Sequence, residues 1–148
     1  MELKGPWNTA QAEAFLEEAR IPLRLACVGA DGFPRVVSLW YRYQQGQFLC
    51  VTHRDSKLAG LLQRNEKIGF EVAPNEPPYH GVRGQGRVSL LEEGAESTLR
   101  DNLSHYLGGT SSSLGQWLLS RVDEELLVCV TIERLFCWDY RERMADAS

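Results

Sequence analysis

No run of about 18 apolar residues occurs in the chain, so no helix long and apolar enough to cross a membrane is expected. Lysine is scarce. Only Lys4, Lys57 and Lys67 accompany thirteen arginines, and sixteen basic against twenty acidic residues leave a net charge of −4. General nucleic-acid binding rests on a basic face that neutralises phosphates, so no nucleic-acid partner is expected. No block of like charge marks an interaction tail. Cys27, Cys50, Cys129 and Cys137 include no C-x-x-C pair, and each sits in an apolar, strand-like setting, the pattern of buried reduced thiols. His53, His80 and His105 include no H-x-x-x-H pair, and the serines at 111–113 lack the glycine that precedes a nucleophile elbow. Gly84 and Gly86 open a dinucleotide fingerprint that Ser89 fails to complete, in a segment that reads as strand where a helix should begin. No metal site and no catalytic acid, base or nucleophile is therefore expected. Met1 to Pro6 lack the apolar segment of a signal peptide, which points to the cytoplasm.

What is present is ordinary globular material: 148 residues, 43% hydrophobic and 24% charged, enough for a single domain spanning 1–148. A helix is expected within residues 1–20. Asn8 can cap it, Gln11 can reach back to Asn8, and Ala12, Phe15, Leu16 and Ala19 share one face before Pro22 blocks continuation. The period then changes to two. Leu23–Val28, Pro34–Tyr43 and Phe48–His53 read as strands joined by turns at Asp31-Gly32 and Gln45-Gly46. Asp55 reads as the N-cap of a short helix with Leu58, Leu61 and Leu62 as its buried stripe. Strands at Lys67–Val72 and Val82–Leu91 follow. Residues 95–121 then form a helical insertion, with helices at Ala95–Leu107 and Leu114–Arg121, the second packing Trp117, Leu118 and Leu119 on the sheet. A final strand runs from Leu126 to Tyr140, and residues 141–148 are expected to fray. Six strands, most joined by tight turns, predict a mainly β, α+β domain: a small antiparallel barrel with flanking helices.

One stretch carries chemistry. A strand delivers Thr52, and a short loop leads into a helix whose first turn holds Ser56 and Lys57. Unpaired N–H groups and a partial charge of roughly +0.5 at a helix N-terminus, joined by two hydroxyls and an ammonium, make a phosphate site. Ordinary capping plus a surface lysine accounts for the same residues, and Asp55 adds a negative charge, so both readings stand. His53 adjoins Thr52 and is expected on the opposite face of the strand, away from any role as a base.

The order of marks from Ile21 to Leu91 resembles the flavin-binding split barrel of the pyridoxamine 5'-phosphate oxidase-like superfamily. An Asp-Gly turn precedes a strand of type R-x-V-x-L-W (Arg35 to Trp40), then come T-x-x-x-S before a helix and G-V-R-x-x-G-x-V from Gly81 to Val88. The likeness extends loosely through Phe136 to Tyr140. It implies a six-stranded antiparallel split β-barrel of Greek-key type, a homodimer with FMN between the subunits, and oxidoreductase activity on a small-molecule substrate. It implies that Arg35, Val36, Val37 and Ser38 run beside the ring and ribityl chain, and that Val51, Thr52, Ser56 and Lys57 hold the ribityl and phosphate. Gly81 and Val82 approach the cofactor from another strand, while Trp40, Tyr79, His80 and Arg83 line the substrate side. Many members carry two basic residues after the serine; here Leu58 follows Lys57, leaving Arg54 or Arg35 to compensate. Other branches bind the deazaflavin cofactor and a few bind heme, so the alternatives are a deazaflavin-dependent reductase on the same fold, or a flavin- or heme-binding carrier or sensor without turnover. The compact phosphate site favours FMN.

Overall fold

The computed structural model describes residues 1–145. Asn8 opens helix α1 (Thr9–Glu18) through a capping box: its Oδ1 accepts from the Gln11 N–H at 2.8 Å, and Gln11 Oε1 accepts from the Asn8 N–H at 2.9 Å. Alternation then governs the sheet. In β2 (Leu23–Val28) Leu23, Leu25 and Cys27 are buried, whereas Arg24 and Ala26 are only half-buried. The remaining elements are β3 (Pro34–Leu39), β4 (Arg42–Gln44), β5 (Gln47–His53), α2 (Lys57–Arg64), β6 (Lys67–Val72), β7 (His80–Leu91), α3 (Ala95–Leu107), α4 (Ser113–Ser120), β8 (Glu125–Asp139) and α5 (Arg141–Ala145). A three-residue β1 (Glu2–Lys4) precedes them all.

One sheet contains every strand, in the order β3-β2-β6-β7-β8-β5-β4 with antiparallel pairing throughout; β1 adds to β8 in parallel. Its two edges, β3 and β4, are separated in the chain by Trp40 and Tyr41 alone, so the sheet curls until one bent segment borders both ends. This is the split-barrel architecture. The single strand expected over Pro34–Tyr43 is thus two strands. Tyr41 breaks it: the side chain turns inward, its hydroxyl donates to Leu16 O at 2.8 Å, and its N–H donates to the Tyr106 hydroxyl at 3.3 Å. Eight strands replace the six expected, because of this break and because of β1.

β1 and α5 fasten the two ends of the chain together. Glu2–Lys4 lie beside Arg134–Phe136, the Cys137 thiol donates to Lys4 O, and the Trp7 indole N–H donates to Asp139 Oδ2 at 3.0 Å. Gly5 has φ +116°, and a Cβ there would lie 2.2 Å from Cys137 O, so only glycine fits. Residues 141–145 are helical, not frayed. Arg141 forks onto both oxygens of Asp139, and Met144 Sδ accepts from the Tyr79 N–H; residues 146–148 lie outside the described residues.

The core lies inside the curl. Phe48, fully buried, meets the rings of Tyr41, Tyr43 and Phe70 at 5.1, 6.0 and 5.0 Å. Gly84 and Gly86 sit where β7 crosses a bulge in β8; a Cβ at either would lie 2.1 or 2.4 Å from a β8 carbonyl, which explains the pair without a nucleotide. Helix α3 closes one end of the sheet with Leu99, Asn102 and Leu103, anchored by His105 Nε2 donating to Ala19 O and the Tyr106 hydroxyl donating to Ile21 O. Helix α4 differs from its expected role: only Gly115 is buried, and Trp117 is 53% exposed under the guanidinium of Arg121. All four cysteines are buried and unbridged. Among the described residues no helix is long and apolar enough to cross a membrane, and no three His, Cys, Asp or Glu side chains converge as a metal needs.

Candidate functional site

Edge strand β3 and helix α2 form the first groove, of about 620 Å³. The helix starts one residue later than Asp55 implies. Ser56 is its N-cap, with Oγ accepting from the Ala59 N–H at 3.0 Å, and His53 holds the turn before it: its carbonyl accepts from the Ser56 N–H and its Nδ1 from the Asp55 N–H. Thr52 Oγ1 and Ser56 Oγ lie 2.9 Å apart. The N–H groups of Lys57 and Leu58, in the first turn, have no acceptor among the described residues.

From that end, Lys57, Gly60, Leu61 and Arg64 follow at i, i+3, i+4 and i+7, one face of the helix, and all four line the groove opposite Arg35, Val36 and Val37. Lys57 and Arg64 make no ion pair among the described residues and stand about 10 Å apart along the axis, at 1.5 Å per residue. Leu58 is buried in the core cluster, which accounts for an apolar residue there. Arg35 shares the groove but is held by Asp31 at 2.9 Å; its guanidinium holds the Asp31 carboxyl below the usual range. Arg54 lies elsewhere, on Glu92 and Asp123 O. The groove therefore has an apolar floor and unpaired cations at either end.

A family profile described as pyridoxamine 5'-phosphate oxidase matches residues 9–136. The chain belongs to the pyridoxamine 5'-phosphate oxidase family. No curated protein matches it. Solved structures share its fold at low identity. A conserved hypothetical protein from Mycobacterium tuberculosis has TM-score 0.80 at 20% identity, with 94% of this chain and 89% of that one covered. An F420 reductase has TM-score 0.69 at 16% identity over 81% and 92%. A FAD-binding protein from Mesorhizobium loti has TM-score 0.62 at 20% identity over 87% and 92%.

In this family member the other expected site residues divide into three places. Ser38, Trp40, Val51 and Thr52 line a second groove of about 310 Å³, and Thr52 Oγ1 contacts Ser56, which lines neither groove but precedes Lys57 of the first. There Ser38 Oγ accepts from Arg24, and Trp40 stacks on Tyr106 at 5.4 Å with 11° between the planes. His53, Asn102 and Glu125 also line it. Because His53 Nδ1 accepts an amide proton, its Nε2 carries the proton donated to Glu124 Oε2 at 3.0 Å; that bond lowers the Glu124 pKa. Burial raises the pKa of Glu125.

Gly81 and Val82 reach neither groove. Val82 is fully buried, and a Cβ on Gly81 would lie 2.7 Å from Val72 O, so both serve packing between β6 and β7. Tyr79, His80 and Arg83 are also outside both grooves. His80 packs on Trp7 and Phe15, and Arg83 lies 5.8 and 5.7 Å from the Phe136 and Trp138 rings. They border the Phe136–Asp139 end of β8, whereas Thr52 pairs with Leu126, ten residues or about 30 Å of strand away. Arg64, Asn102 and Glu125 were missed by sequence reasoning. Arg64 had a readable signal, its i+7 spacing from Lys57; Asn102 and Glu125 reach their groove only through tertiary packing.

Proposed function

We propose that the chain is an FMN-dependent oxidoreductase acting on a small-molecule substrate, a cytoplasmic homodimer with the flavin at the subunit interface. One observation carries this: an apolar wall of Val36, Val37 and Leu61 faces the unpaired Lys57 beside the capped start of α2. A flat ring with an anionic tail fits that combination, the ring on the wall and the phosphate at the cation and the free Lys57 and Leu58 amides. When bound, FMN would supply the hydride chemistry. The protein's residues bind, orient and exclude water. Thr52 and Ser56 offer hydroxyls to the ribityl and phosphate oxygens, and Val36 and Val37 flank the ring. Phe33 and Val36, 68% and 69% exposed at the free sheet edge, are the apolar surface a second copy would cover. In such a dimer Tyr79 and Arg83, both exposed, are available to the site of the other subunit, with His80 held beside them on Trp7 and Phe15.

A second reading is a deazaflavin-dependent reductase, favoured by Arg64. Its charge, about two helical turns beyond Lys57, gives a longer anionic tail a second anchor. The absorption spectrum of the purified protein, followed by competition between FMN and the deazaflavin cofactor, tests both. Flavin bands and preferential FMN retention are expected. A Soret band, or a protein that takes only the deazaflavin, contradicts the FMN reading.

A further inference from the structure

The second groove differs in charge from the first. Asn102 is 1% exposed, and its Nδ2 donates to Trp40 O at a long 3.5 Å. Its Oδ1 is the one buried side-chain oxygen or nitrogen without a hydrogen-bond partner among the described residues. An orphaned buried acceptor is costly, so native proteins keep one where something else satisfies it. Glu125, nine-tenths buried, lines the same groove, and its carboxyl makes no hydrogen bond or ion pair among the described residues. Both residues line a space walled by Trp40, Val51 and Leu118, with Asn102 Oδ1 sealed just behind its surface. At about 310 Å³ it lies at the small end of ligand pockets, which suits a single ring.

We propose that this groove is the substrate subsite, and that Asn102 and Glu125 select a small, single-ring, non-anionic molecule carrying N–H donors, such as an aromatic amide or amine. As a substrate site it rests on the assignment of the neighbouring basic groove to the cofactor. The division is electrostatic. Lys57 and Arg64 draw the anion to the first groove, and the Glu125 carboxyl opposes a carboxylate or phosphate in the second. Donors on the ligand satisfy Asn102 Oδ1, and an isostere lacking them leaves that oxygen unpaired.

Benzamide and benzoate, nearly equal in shape, separate the cases. Each is titrated into the ¹⁵N-labelled full chain and followed by the backbone amides. Benzamide is expected to shift Trp40, Thr52, Asn102 and Glu125 and to bind at least about tenfold tighter than benzoate. Glu125→Gln should narrow that gap by admitting benzoate. Asn102→Leu should weaken benzamide about tenfold with the fold retained, as judged by its melting curve. Equal affinities, shifts confined to other surfaces, no binding by either probe, or unchanged discrimination in Glu125→Gln would each overturn the proposal. An FMN titration of the same samples keeps the two readings apart. Benzamide binding without FMN binding leaves the pocket and removes the cofactor assignment, and the reverse result removes the pocket alone.

Discussion

Lys57 holds the only lysine ammonium in either groove, and its removal should act on ligand binding and little else. A hydrogen bond to a charged group contributes about 1.5–3 kcal/mol, so Lys57→Ala is expected to weaken FMN by about one to two decades. Its melting temperature should stay at the parent value, since the side chain is exposed and unpaired. Fluorescence titration checks the first point and thermal melting the second. Arg64→Ala should weaken FMN less than Lys57→Ala but weaken the deazaflavin cofactor as much, if that longer tail is the true ligand. Ser56→Ala should lower stability by about 1 kcal/mol through loss of the cap to Ala59, read in a urea titration. At this scale the order Thr52, Ser56, Lys57 was legible because strand, turn and helix start are local. Asp55 reads as the cap because it is a good capping residue next to Ser56; in the folded turn it is Ser56 Oγ that takes the Ala59 N–H. Asn102 and Glu125 lie on α3 and β8, and nothing local marks either as facing Thr52.

Among the elements, the Trp7 turn after β1 and the start of α5 are fastened to the end of β8 through one carboxylate, Asp139. The Arg141 guanidinium, with help from the Trp7 indole, holds Asp139 well below the usual carboxylate range. A folded-state pKa below the unfolded one adds stability above the unfolded value, near 3.9, and that contribution is lost as pH falls through the depressed one. Asp139→Asn should therefore melt below the parent by a constant interval above about pH 5, and the interval should shrink in more acidic buffer. A melting series from neutral to acid checks it; a gap independent of pH would remove this role for Asp139. Most elements were readable from their period and caps: the Asn8–Gln11 box, the alternation in β2, the stripe of α2. The failures share a cause. Tyr41 looks like any strand residue until Leu16 O and the Tyr106 hydroxyl take its polar groups, and β1 has no pattern of its own until β8 is there to pair with it.

For the molecule as a whole, stability rests on the inside of the curled sheet, and Phe48 sits at its centre. Phe48→Ala removes three ring contacts and should cost about 3–5 kcal/mol, seen as a lower denaturant midpoint at unchanged slope. The curl of the sheet, whose two edges are linked in the chain by Trp40 and Tyr41, is what brings β3 and the end of β5 to the start of α2, so the fold and the site have one origin. The family's architecture was visible in the sequence as an order of strands and turns. The charge contrast between the two grooves was not, because it is assembled from α2, α3 and β8. The most direct test of the cofactor assignment is a titration of the folded protein with FMN, followed by flavin fluorescence. Saturable quenching at one FMN per chain, lost when Lys57 and Arg64 are both replaced by alanine, is the predicted result. Flavin fluorescence that stays unchanged over a folded sample would contradict it.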